Sequence, residues 1–159
     1  QIKYYVNKTM HHTPYGFVGM DDIPKNQQVE KYWKVYIPAS GWGAAMENDD
    51  PVLGRPFLGE PHSVCSQTYL VIGYDQSTHS LTKSQCENIV AYVSTKFFRY
   101  MVSLKKYTQQ AARGVYQFVP LQDFNEVWSD KLLYEKYGLS SDEVDLIEKK
   151  IRVMELNSD

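Results

Sequence analysis

Lys96, Arg99, Ser103, Lys106, Gln110 and Arg113 follow one another at spacings of 3, 4, 3, 4 and 3. On a helix each of those steps is a neighbour, so the six side chains fall on one line, and no acid interrupts it. Lys105 and Gln109 flank the line. Ammonium and guanidinium groups neutralise phosphates and release their counterions, which gives affinity without sequence preference. Arg can pair two hydrogen bonds to guanine, and Gln two to adenine. The chemistry expected of such a row is contact with duplex DNA. Two other readings stand beside it. The row is a solvated helix face, although such faces usually alternate in sign. Or it docks on an acidic protein surface, this chain's own tail included.

The charge distribution keeps all three readings open. The whole chain carries a net charge of −2. Residues 83–113 hold six basic groups against Glu87 alone, whereas residues 114–159 hold five against ten acids. A basic middle is therefore followed by an acidic end. A hydrophobic content of 43% and an aromatic content of 14% are enough for a packed core. The thirteen tyrosines suit half-wet surfaces, since each joins a flat apolar ring to a polar tip. Cys65 and Cys86 sit in apolar stretches and read as two buried thiols in a reducing cytoplasm. No apolar run has the length of a membrane span, and no signal peptide opens the chain. The first residue is Gln1, so a piece of a longer polypeptide is expected.

Catalytic constellations are hard to find. Gly41-Trp42-Gly43-Ala44-Ala45 is too weak for a cofactor loop, although Trp42 is placed to stack on a flat ligand. No Asn-Pro-Pro-aromatic sequence is present. Asp21-Asp22 and Asp49-Asp50 lack the following Glu-x-Lys of a metal-dependent nuclease and read as solvated turns. His11-His12 need partners from elsewhere to bind metal, His62 and His79 stand alone, and the cysteines lack zinc spacing. A nucleophile with its base is not identifiable. The expectation is a chain with no catalytic residues, metal or cofactor of its own.

The elements that must carry these residues follow from periodicity. A strand is expected at Ile2–Val6, a turn at Pro14 and Gly16, and a strand over residues 31–37 (KYWKVYI). Residues 38–62 read as a long Pro- and Gly-rich loop with a small strand near Val52–Leu53, and residues 64–72 (VCSQTYLVI) as another strand. Apolar residues from Cys86 to Leu104 recur at three and four, which predicts one long helix over 82–112 ended by Gly114. Residues 115–119 (VYQFV) read as a short strand. Ser129 or Asp130 caps a helix to Tyr137, and Ser140 with Glu143 forms a capping box for a last one. The expected class is α+β: a small mixed or antiparallel sheet packed against one long helix, with two short C-terminal helices. Residues 1–159 form one unit in this reading, with 115–159 its helical end.

The stretches YWKVYIPASG (32–41), VLGRPFLGEPHSVCSQTYLVIG (52–73) and TKFFRYMVSLKKYTQQAARGVYQFVPLQDF (95–124), continuing to Ile151, carry a resemblance. From Lys31 to Glu155 the chain resembles the C-terminal region of bacterial type II adenine-specific DNA methyltransferases of restriction-modification systems. TPYGF at 13–17 looks like that family's proline-aromatic-glycine motif, though VGMDD follows where the family often carries arginine. The resemblance implies a target-recognition domain that reads duplex DNA. It also implies an upstream domain of the same polypeptide that binds S-adenosylmethionine and methylates adenine, with or without an endonuclease. Tyr15 and Phe17 carry over as near-DNA residues. The rival readings are a protein-interaction module using the basic helix face, and a nuclease with a degenerate motif.

Overall fold

A computed structural model of the chain describes residues 1–6, 15–39, 52–73, 81–105 and 113–154. The class is α+β, as expected, but the strands divide into two sheets of three. Strands β1 (Ile2–Tyr5), β2 (Tyr15–Val18) and β5 (Ser63–Cys65) form one, in the order β2-β1-β5. Strands β3 (Lys34–Pro38), β4 (Phe57–Gly59) and β6 (Tyr69–Ile72) form the other, in the order β4-β3-β6. All pairings are antiparallel except β1 with β5.

The single strand expected over 64–72 is thus two strands in different sheets. Its polar centre bends the chain: the hydroxyls of Ser66 and Thr68 bond at 2.6 Å, and Tyr69 N donates to Ser66 O at 3.2 Å. Lys31, expected to open the strand, instead closes a 3-10 helix over Gln27–Lys31, and β3 begins at Lys34. Val52 adopts φ 69°, which a strand does not allow, and the strand of that loop lies later, at Phe57–Gly59.

Alternation along β3 explains why it sits in the middle of its sheet. Val35 and Ile37 are fully buried on the face that packs against the helices. Lys34 and Tyr36 are also fully buried, pointing to the opposite face, towards the first sheet. Tyr36 OH meets Ser63 Oγ at 3.1 Å across that gap. Gly59, paired with Lys34, leaves the room: a Cβ there would stand 2.6 Å from the Tyr36 ring and 2.7 Å from Lys34 Cγ. The outer face of the first sheet is covered by a small cluster of Ile2, Ile23 and Val64.

The expected long helix is two helices, α1 (Lys83–Val93) and α2 (Lys96–Ser103). Thr82 and Gln85 cap α1 reciprocally. The chain leaves helical geometry at Thr95 (φ −65°, ψ 152°), whose hydroxyl accepts Phe98 N at 3.1 Å. Thr95 is an N-cap by residue type, and that local preference overrides the apolar periodicity running through it. The first turn of α2 is capped further from a distance. The Asp130 carboxylate accepts Lys96 N at 3.1 Å and Phe97 N at 2.8 Å.

The run 115–119 is not a strand. Arg113–Tyr116 form a 3-10 turn, continued by Val119 N donating to Tyr116 O at 3.0 Å. Its apolar residues pack by turns, with Val115 buried in the main core; periodicity alone does not separate that from a short strand. Helices α3 (Asp130–Lys136) and α4 (Ser141–Lys150) follow as expected, capped by Ser129 and by the Ser140–Glu143 box. Leu133 and Ile147 anchor them in the core with α2.

Candidate functional site

The broken helix dissolves the expected cationic line. Arg99 is 0% exposed. Its Nε donates to Thr95 O at 3.2 Å and its Nη2 to Ser94 O at 3.1 Å. The guanidinium therefore satisfies the Ser94 carbonyl, left open where α1 ends, and shares the Thr95 carbonyl with Arg99 N, a position that also favours positive charge. Burial draws its pKa down to about 10, against the pull of Asp130, so it stays charged at neutral pH. Lys96 is mostly covered and its ammonium binds the Glu148 carboxylate on α4. That bond holds Glu148 below the ordinary carboxylate range; burial opposes it and the Tyr134 hydroxyl, at 3.0 Å, assists. Ser103 Oγ donates to Tyr100 O at 2.6 Å. Lys105 Nζ lies 5.1 Å from the centre of the Phe118 ring.

Of the expected DNA-contacting row, then, Arg99 is corrected to a buried structural cation, because the helix breaks beside it. Lys96 is corrected to the partner of Glu148, a carboxylate of the chain's own acidic end. Arg113 begins the 3-10 turn. Lys106, Gln109, Gln110 and Trp42 lie outside the described residues, as do His11, His12, His79, Asp49 and Asp50. Asp22 is engaged locally, its carboxylate accepting Gly19 N at 2.8 Å. Cys65 and Cys86 are free thiols, pushed up by burial to about 12 and about 11.

Tyr15 and Phe17 fare differently. Both lie on β2, two residues apart and so on one face. Tyr15 is 38% exposed and Phe17 61%. Their rings meet edge to face with centroids 6.0 Å apart. From Tyr15 the contact passes to Tyr5 at 6.0 Å, from Tyr5 to Phe57 at 5.1 Å, and from Phe57 to Tyr69 at 5.6 Å. Five rings thus form one row that is wet at Phe17 and runs into the space between the sheets. The register places Tyr5 opposite Tyr15, and Lys3 opposite Phe17.

A polar pair edges this row. Lys3 Nζ sits 4.2 Å from the Tyr15 ring centre and bonds Glu60 Oε1 at 2.9 Å. Tyr5 OH donates to Glu60 Oε1 at 3.0 Å and Oε2 at 2.8 Å. Burial would raise the Glu60 carboxyl, but bonds from Lys3, its own backbone and Tyr5 together keep it below the usual range. The Lys3 ammonium is raised well above an ordinary lysine by Glu60 first and Tyr5 second. An ammonium and a carboxylate, both partly exposed, therefore stand side by side at the margin of a flat aromatic surface.

Tyr5, Lys3 and Glu60 were not among the residues expected to matter. The available signal was period-two alternation: Lys3 with Tyr5 and Tyr15 with Phe17 share a face once the two segments pair. Glu60, 55 residues from Tyr5, had no such signal. Comparison with protein-family models, with curated proteins and with solved structures finds no match to this chain.

Proposed function

We propose that this chain is a DNA-recognition module, the specificity-bearing part of an adenine-methylating restriction-modification protein. The observation that carries the reading is the aromatic row ending at Tyr15 and Phe17. These two residues belong to the segment resembling the family's proline-aromatic-glycine motif, and β2 presents both rings to solvent beside Lys3 and Glu60. Exposed rings next to a hydrogen-bonding pair are suited to bases; an apolar surface alone is not. The resemblance over residues 31–155 supports the same reading and an upstream S-adenosylmethionine-dependent domain, and the free thiols of Cys65 and Cys86 support a cytoplasmic setting. Among the described residues no helix is long and apolar enough to cross a membrane.

The contribution of the helix row shrinks to Lys105 and whatever lies beyond it. The chain on its own is therefore expected to hold duplex DNA weakly, with a Kd of roughly 10⁻⁴–10⁻⁶ M at physiological salt. The test is selection of the 159-residue chain against a library of random duplexes at low salt, followed by sequencing. Enrichment of one short sequence supports the reading. Retention of no duplex above background overturns it.

A second reading, a protein-docking module, is favoured by one observation. Leu121 is 86% exposed, and Val127 and Val153 are also wet, in a C-terminal layer rich in exposed acids. Its discriminating result is binding to a basic protein surface that Leu121→Ser with Val127→Ser abolishes while duplex binding is unchanged.

A further inference from the structure

We infer that the β1–β2 face holds a nucleobase taken out of the stack, with the Phe17 ring beneath it, Tyr15 against one side, and Lys3 and Glu60 at its edge. The inference rests on the DNA-recognition reading and adds the form in which the nucleic acid arrives.

Three observations carry it. The first is the open ring. Phe17 is 61% exposed, and its contact with Tyr15 is edge to face, at 86° between the planes, so the pair leaves a ring face towards solvent. An aromatic face gains by covering another flat π surface. In a duplex the base faces are covered by their neighbours, and the grooves present only edges. A base whose face is free lies in a single strand, a bulge or a distorted step.

The second is charge. Among the described residues the cation at this site is Lys3, and Glu60 neutralises it at 2.9 Å. A neutral pair has little to offer a phosphate, whose binding is driven by net positive charge. The face is built for the base and not for the backbone.

The third is the order of donors and acceptors. Lys3 supplies N–H donors. Glu60 Oε2 has Tyr5 as its hydrogen-bond partner, whereas Oε1 has both Tyr5 and Lys3. A carboxylate oxygen accepts more than one bond. A donor beside an acceptor matches the free Watson–Crick edge of an unstacked base, since each of the four bases sets a donor next to an acceptor there.

The test measures fluorescence anisotropy of labelled ten-nucleotide oligo-dA, oligo-dT and a mixed-sequence duplex with the chain and with Phe17→Ala, Phe17→Leu and Glu60→Gln. Phe17→Ala is expected to weaken oligo-dA binding about tenfold, as loss of one stacked base does, and duplex binding by less, because a duplex must first unstack a base to use this face. Phe17→Leu keeps apolar area but not the flat ring, and is expected to lose nearly as much. The Phe17→Ala loss is expected to be the same at 50 and 200 mM salt, because stacking releases no counterions. Glu60→Gln is expected to change oligo-dA and oligo-dT binding to the same extent, since both bases set a donor beside an acceptor. Equal losses on duplex and single strand overturn the unstacked-base inference and leave DNA recognition standing. Normal oligo-dA binding by Phe17→Ala overturns the inference alone. Binding of neither DNA by the wild-type chain overturns both.

Discussion

Lys34 shows what one residue can reveal about its surroundings. It is fully buried between the sheets, with its ammonium donating to Tyr32 O at 2.9 Å and Glu60 O at 3.1 Å. Burial lowers its pKa from 10.5 to about 8, with Glu60 and Glu30 opposing. Between those two values the unfolded chain holds a proton that the folded chain has released, so stability rises with pH across that window. Buried tyrosines such as Tyr36 act oppositely once the unfolded chain ionises them, above about pH 10. Urea denaturation at pH 8 and pH 9.5 is therefore expected to show a gain in the wild type relative to Lys34→Met. Parallel behaviour of the two proteins would mean that Lys34 is not desolvated. No sequence pattern announces a buried lysine: KYWKVYI reads as a strand, and lysine at its fourth position reads as the wet side. The burial comes from a second sheet, whose existence depends on the parallel pairing of β1 with β5.

At the scale of elements, the join between α1 and α2 is the informative place. Two charged groups from opposite directions satisfy it. Asp130 takes the N–H groups opening α2, and Arg99 covers the Ser94 carbonyl closing α1 while also reaching the Thr95 carbonyl. Asp130→Ala is expected to cost about 3 kcal/mol, since bonds to a charged acceptor are worth roughly 1.5–3 kcal/mol each and share one group. Ser129→Ala, which removes only the local cap of α3, is expected to cost about 1 kcal/mol. Arg99→Ala is expected to cost about 2 kcal/mol by stranding the Ser94 carbonyl, with DNA affinity per folded molecule unchanged. Thermal or urea denaturation measures all three; an Arg99→Ala protein of normal stability and lowered DNA affinity would restore the exposed-ridge reading. The caps of α3 and α4 could be read directly, because Ser129, Ser140 and Glu143 act within four residues. Thr95 carried the same kind of signal, but the apolar repeat across it was the stronger pattern. Asp130, 34 residues from Lys96, carried none. For the site, Tyr15 and Phe17 were reached through a motif likeness, while the helix row followed from a period that the chain interrupts.

The whole molecule is layered: aromatic sheet, central sheet, helices. The layers are unequal in what holds them. The central sheet and helices share one large cluster, whereas among the described residues the outer face of the first sheet has Ile2, Ile23 and Val64, flanked by Tyr4 and Val18. Regions with few buried apolar contacts open at lower free energy than the core. Hydrogen exchange is therefore expected to be at least about tenfold faster at paired amides of β2 than at those of β3. Equal protection would show that the three layers open together.

The route β4–β5–β6 has a consequence for descent. The chain leaves the central sheet after Gly59, adds β5 to the outer one, and returns at Tyr69. The stretch 63–65 is thus a fixed tenon, and the hairpin of β1 and β2 is a tile laid against it by parallel pairing at Lys3, Tyr4 and Tyr5. A different hairpin with the same spacing of small and apolar residues could be grafted onto that tenon without rebuilding the helices. Ligand preference in relatives built this way would diverge by exchange of the first twenty or so residues, while the remainder changed slowly as a common chassis.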